Sequence, residues 1–155
     1  MTSTPDSRRQ AWLAVLALAP RDALARHAAA RVAEHRFEWL REPETGLAMV
    51  RGRIANRGDR FNVGEATLTR CIARITLGGH TTAGVGHVLG RDDERARWIA
   101  QLDALLQQPS LQNSLQRDVI EPLRAAREQV LAAERARHAA SRVSFYTLAP
   151  EVAAP

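Results

Sequence analysis

The sequence predicts an α+β fold, with an antiparallel β-sheet of about four to five strands packed against N-terminal and C-terminal helices. Three observations carry this reading. Apolar residues recur at helical spacing towards both ends, as in Leu24, Ala28 and Val32, and again in Trp98, Leu102, Leu105 and Leu106. The middle alternates instead, from Leu47 to Ile54 and from about Ala66 onwards. Gly78-Gly79 then supplies a hairpin turn between two strand-forming runs. At 155 residues, 45% apolar and 25% charged, the chain has the size and mix of one ordinary globular domain, which we assign to residues 1–148. Residues 149–155 carry no pattern and are expected to form a disordered tail.

The elements follow in order. Residues 6–19 read as a helix capped by Asp6 or Ser7, with Trp12, Val15 and Leu16 on one face and Pro20 ending it. Arg8-Arg9 ahead of the apolar run Ala11 to Ala19, with Ala23-Leu24-Ala25 beyond, also resemble a secretory signal. Asp6 and Gln10 flank the arginines and the run is near the minimum length, so the helix is preferred. A second helix spans about Arg21 to His35. Phe37 and Trp39 alternate with Glu38 in a short strand, and Glu42-Pro43-Glu44-Thr45-Gly46 is expected to turn.

The next strand, Leu47 to Ile54, puts Ala48, Val50 and Ile54 on one face and Leu47, Met49, Arg51 and Arg53 on the other. Asn56-Arg57-Gly58-Asp59-Arg60 is a loop by composition, which Phe61 to Glu65 can extend before a strand from about Ala66 to Leu77 and a return strand from Thr81 to Leu89. Asp92 is placed to cap a helix whose first turn holds Asp93 and Glu94. Pro109 separates it from a polar helix over about Leu111 to Ala140, where Pro122 marks a first turn begun near Asp118, or a kink. Val143 to Thr147 reads as a last strand added to the sheet, and no internal repeat is present.

Net charge is +5 and the pI about 11.0, which favours anionic partners. Every basic residue is arginine, a bias more simply explained by a GC-rich genome than by a ligand. Cys71 is the single cysteine, which excludes an intrachain disulfide and suits a reducing cytoplasm; at mid-strand it reads as a small buried hydrophobe. His27, His35, His80, His87 and His138 are scattered, so no metal site is expected. No apolar run approaches the roughly 20 residues of a membrane span. Neither GxxxxGK[ST] nor GxGxxG occurs, which removes both common nucleotide-binding folds.

Chemistry can be specified in one block. Arg51 and Arg53 emerge roughly 7 Å apart on one strand face, a spacing that suits two phosphoryl groups or two carboxylates. Gly52 between them permits close backbone approach. An ordinary solvated face is the alternative. Asn62 and Glu65, with Gly58 and Gly64 shaping the turn, could meet a sugar hydroxyl or a base edge, Glu65 acting as a base; a strand-entry turn with Glu65 paired to Arg70 or Arg53 is the plainer account. Thr69 and Arg70 extend the same surface. A small basic nucleic-acid-binding module is the competing class, although aromatics are only 5% and do not interleave with the arginines.

The ordered series Leu40-Arg41-Glu42-Pro43-Glu44-Thr45-Gly46-Leu47, Met49-Val50-Arg51-Gly52-Arg53, Gly58, Phe61-Asn62-Val63-Gly64-Glu65, Thr69-Arg70 and Gly90-Arg91-Asp92 resembles the PhnG family, the small subunit of the bacterial carbon-phosphorus lyase system. Leu102-Asp103-Ala104-Leu105-Leu106 and Val143-Ser144-Phe145-Tyr146 continue the likeness. The resemblance implies a single PhnG-like domain working in a cytoplasmic core complex with PhnH, PhnI and PhnJ, with PhnL, and PhnK as a second candidate, as ATPase subunits. The assembly replaces the adenine of ATP with an alkylphosphonate, and a later radical step in PhnJ breaks the carbon-phosphorus bond. Adenine displacement is usually placed on PhnI, so the resemblance assigns no catalytic residue, metal or cofactor to this chain, and ATP is a co-substrate of the whole. Arg51 and Arg53 become the leading candidates to contact a triphosphate, a phosphonate or a partner's carboxylates. Asn56, Arg57, Asp59 and Arg60 depart from the small residues usual before the FNxGE segment.

Overall fold

The computed structural model describes residues 5–141. Two helices, α1 (Pro5–Leu18) and α2 (Arg21–Ala33), precede three strands, β1 (Glu38–Arg53), β2 (Arg60–Leu77) and β3 (His80–Leu89). Then come α3 (Asp93–Leu106), α4 (Pro109–Leu115), a π-turn at Gln116–Ile120, and α5 (Glu121–Ala140). The sheet is an antiparallel meander in the order β1-β2-β3. The α+β class is as expected. The described residues hold three long strands, however, rather than four or five short ones, and the expected strand at Val143 to Thr147 and the tail lie outside them.

Two expected breaks are continuous strand. Glu42 to Gly46 lies inside β1, because an edge strand tolerates a proline where no partner needs its amide. The ladder steps over Pro43, with Arg41 opposite Ile72 and Glu44 opposite Arg70. This is a bulge rather than a turn. Phe61 to Glu65 is likewise the start of β2, held by pairing to β1 from Arg53↔Arg60 onwards. The Gly78-Gly79 hairpin forms as expected, both glycines taking the positive φ (54° and 83°) that a two-residue turn requires.

One sheet face carries the core. Cys71, Ala73, Ile75 and Val88 face α3, whose Ile99, Leu102, Leu105 and Leu106 are buried with Trp12, Val15 and Leu16 of α1 and Leu24, Ala28 and Val32 of α2. The contact between β3 and α3 is unusually close. A Cβ on Gly84 would lie 2.0 Å from the Ala100 carbonyl oxygen, and one on Gly86 2.1 Å from that of Ala96. Asp92 caps α3 by accepting the Arg95 amide at 3.1 Å.

Asp103 is the polar centre of this packing. It is fully buried and accepts from Arg9 Nη2 at 2.7 Å, Trp12 Nε1 at 2.9 Å and the Val85 amide at 2.9 Å, which joins α1, α3 and β3. Such a carboxylate is tolerated because each oxygen is met by donors.

Pro122 sits in the first turn of α5, as one of the two sequence readings had it. The helix does not start afresh at Asp118: the π-turn carries it over from α4, with the Glu121 amide reaching back to the Gln116 carbonyl. Beyond Leu123 no described residue of α5 is buried. No helix among the described residues is long and apolar enough to cross a membrane.

Candidate functional site

β1 and β2 outrun the body. The last β2 residue paired with β3 is Leu68, opposite Leu89, so residues 47–67 form a two-stranded arm with no third strand. The tip closes through a short 3₁₀ turn at Ile54–Asn56, where the Arg57 and Gly58 amides both donate to the Ile54 carbonyl. Ala55 takes a left-handed φ of 45° there. A Cβ on Gly58 would meet the Ile54 Cβ and carbonyl oxygen at 3.0 Å, so glycine fits this tight turn.

The register sorts the arm into two faces. Leu47↔Thr67, Met49↔Glu65, Arg51↔Asn62 and Arg53↔Arg60 are opposite one another and share one side. Arg51, Arg53, Asn62 and Glu65 are therefore brought onto one surface, as the sequence block indicated. Arg60 joins them. It read as a loop residue, and only the hairpin register across the tip could have revealed it.

The other face is apolar. Val50 faces Gly64 and Gly52 faces Phe61, while Val63 is the extra residue where the ladder shifts between Val50 and Arg51. A Cβ on Gly52 would lie 2.9 Å from Val63 Cγ2 and 3.6 Å from Phe61 Cζ, so these two side chains lie across the glycine. Gly52 and Gly64 are thus strand residues, and of the three glycines expected to shape a turn only Gly58 sits in one.

Thr69 and Arg70 belong elsewhere. Thr69 is fully buried; its hydroxyl donates to the Gly90 carbonyl at 2.7 Å, accepts the Asp92 amide at 3.3 Å and meets the Thr45 hydroxyl at 3.1 Å. It fixes the passage from β3 to α3. Arg70 is exposed on the opposite sheet face and pairs with Glu44 at 2.7 Å, rather than with Glu65. That hydrogen bond holds the Glu44 carboxyl below its usual range.

The electrostatics of the arm differ from those of the sheet below it. Among the described residues Arg51, Arg57, Arg60 and Glu65 have no ion-pair partner, and Arg53 donates only to the Gly58 carbonyl at 3.2 Å. Arg51, Gly52, Arg53 and Arg60 line an open depression of about 410 Å³. Such a surface can accept anionic groups through several guanidinium forks at once. It encloses nothing, and no cluster among the described residues has the His, Cys, Asp and Glu content to hold a metal.

Cys71 is 1% exposed against Gly86 and α3, and burial pushes its thiol up to about 11. It is a packing residue, as expected.

Comparison with known proteins gives a consistent result. The profile of the family described as "Phosphonate metabolism protein PhnG" matches residues 7–150. A relative from Rhizobium meliloti (strain 1021), named "Alpha-D-ribose 1-methylphosphonate 5-triphosphate synthase subunit PhnG", is 43% identical over 116 residues, covering 70% of this chain and 67% of that protein.

Proposed function

The chain belongs to the PhnG family of phosphonate metabolism proteins, and from that premise we propose that it is a subunit of an α-D-ribose 1-methylphosphonate 5-triphosphate synthase. The assembly transfers the ribose triphosphate moiety of ATP to an alkylphosphonate with release of adenine. The observation that carries this is the family match over residues 7–150, joined by a relative whose name states the same activity. The chain supplies a folded body and a charged arm, and the reaction takes place in a complex with PhnH, PhnI and PhnJ, served by the ATPase subunit PhnL and, in second place, PhnK. ATP enters as co-substrate of the whole, this chain holds no cofactor of its own, and the complex works in the cytoplasm.

The fold supports a subunit role over that of an enzyme alone. Its basic depression is open to solvent, whereas small-molecule sites are concave and enclose most of their ligand. The test is co-expression of the full chain with the three core subunits. Recovery of all four in one purified assembly that makes the ribose phosphonate from ATP and methylphosphonate, with no turnover by the chain alone, is the expected result. Turnover by the isolated chain would overturn the subunit reading.

A further inference from the structure

We propose that the arm of residues 47–67 is the docking element of this chain, and that its occupant is a different polypeptide with an apolar groove edged by carboxylates. The proposal rests on the subunit reading above and specifies the surface and the chemistry of the partner.

The first argument is exposure. Of the large hydrophobic residues that the described chain leaves in solvent, most lie on the arm: Leu47 is 67% exposed, Met49 52%, Phe61 46% and Val63 60%, and Leu89, at the root, is 72% exposed. A concentration of this kind marks a protein interface. Both faces take part, since Leu47 and Met49 share the arginine side while Val50, Phe61 and Val63 lie on the other.

The second argument is cohesion. A two-stranded ribbon is at best marginally stable in water without a third strand or a helix to pack on. This one also shows two unpaired edges, which in an uncovered strand lead to aggregation. A groove that receives the arm would remove both problems. The stretch is about as long as the roughly 20–30 residues that one side of a standard interface contributes.

Charge selects the occupant. Arg51, Arg53 and Arg60 share one face, so an arm paired with a copy of itself on that face would set like charges together. A carboxylate-edged groove pairs them instead, the apolar side chains filling its floor. A nucleic acid would match the arginines and leave the apolar face of Val50, Phe61 and Val63 in water.

The experiment compares full-length wild type with two variants, each co-expressed with the other synthase subunits: Arg51→Glu with Arg53→Glu and Arg60→Glu, and Phe61→Asp with Val63→Asp. Each variant should lower recovery of the assembly at least tenfold, while the urea midpoint of the isolated chain stays at the wild-type value. Hydrogen exchange on the wild type is the companion measurement. Amides of residues 47–67 should exchange at least tenfold more slowly in the assembly than in the free chain.

Wild-type recovery of both variants overturns the docking role and leaves the subunit reading standing. An intact assembly that has lost synthesis when the arginines are reversed overturns the choice of a protein occupant in favour of substrate. A dimer of the isolated chain that the same substitutions dissolve overturns it in favour of a second copy. Failure of the wild type to join any assembly removes the subunit reading itself.

Discussion

β2 is one strand with two surroundings. From Leu68 to Arg74 it has a neighbour on each side and a helix on one face, and Thr69, Cys71, Ala73 and, just beyond, Ile75 alternate as buried residues. From Arg60 to Glu65 it has one neighbour and every residue is exposed. The charges follow the same division. Arg70 and Arg74 on the lower half meet Glu44 and Glu38 within 2.7 Å, while Arg60 and Arg51 on the arm meet no carboxylate among the described residues. The body has been assembled around its own contacts, and the arm has been left with side chains suited to someone else's. Side chains of the first kind should matter to folding, and those of the second kind to assembly.

The sharpest test of the body is Asp103→Ala. It would leave the Trp12 indole N–H and the Val85 amide without this acceptor, lowering stability by about 1–3 kcal/mol for each unsatisfied group, and take from Arg9 its carboxylate partner. Urea denaturation should show that drop, and an unchanged midpoint would mean the three elements are not held through this carboxylate. Gly84→Ala should be next, at about 1–3 kcal/mol, because its Cβ would press on main-chain atoms of α3 that cannot rotate away.

A smaller effect is expected in alkali. The Cys71 thiol is raised from 9.0 to about 11 by burial, so the fold favours its protonated form. Its contribution to stability is present below pH 9.0 and lost as pH rises towards about 11. Wild type should therefore lose more stability across that window than Cys71→Ala does, and parallel curves would remove the effect. The arm should give the smallest change in the isolated chain. Arg51→Ala with Arg53→Ala is expected to stay within about 0.5 kcal/mol of wild type, and nevertheless to abolish phosphonate-dependent growth. Unchanged growth with an intact complex would end the contact role of these arginines.

Much of the body could be read directly because its signals are local. Gly78-Gly79, the Asp92 cap and the stops at Pro20 and Pro109 depend on a few adjacent residues, and each is where the sequence indicated. The strand count failed at Glu42-Pro43, where proline on an edge strand is indistinguishable from proline in a turn until the neighbouring strand is known. Arg9 and Asp103 are 94 residues apart, and nothing in the Leu102–Leu106 segment that holds Asp103 points to Arg9, so their pairing exists only in three dimensions. The arm was half legible. Arg51 and Arg53 share a face by alternation alone, but the addition of Arg60 and the burial of Thr69 required the register of the hairpin and the position of α3.

The seam between β3 and α3 has a consequence for how this chain can vary. At Gly84 and Gly86 the nearest atoms belong to the main chain of Ala96, Ala100 and Ala104. A junction of that kind has no helix side-chain volume to give up to the strand, and the side chain nearest it, Cys71 with its Sγ 3.0 Å from a Cβ on Gly86, belongs to the neighbouring strand. Growth on the strand cannot be answered by shrinkage on the helix, since alanine is already the smallest residue that keeps good helical propensity. The usual route by which cores drift, paired swaps of larger for smaller side chains, is closed along this line. Variants that enlarge it must move the whole helix, and with it Asp92, Thr69 and the root from which the arm extends.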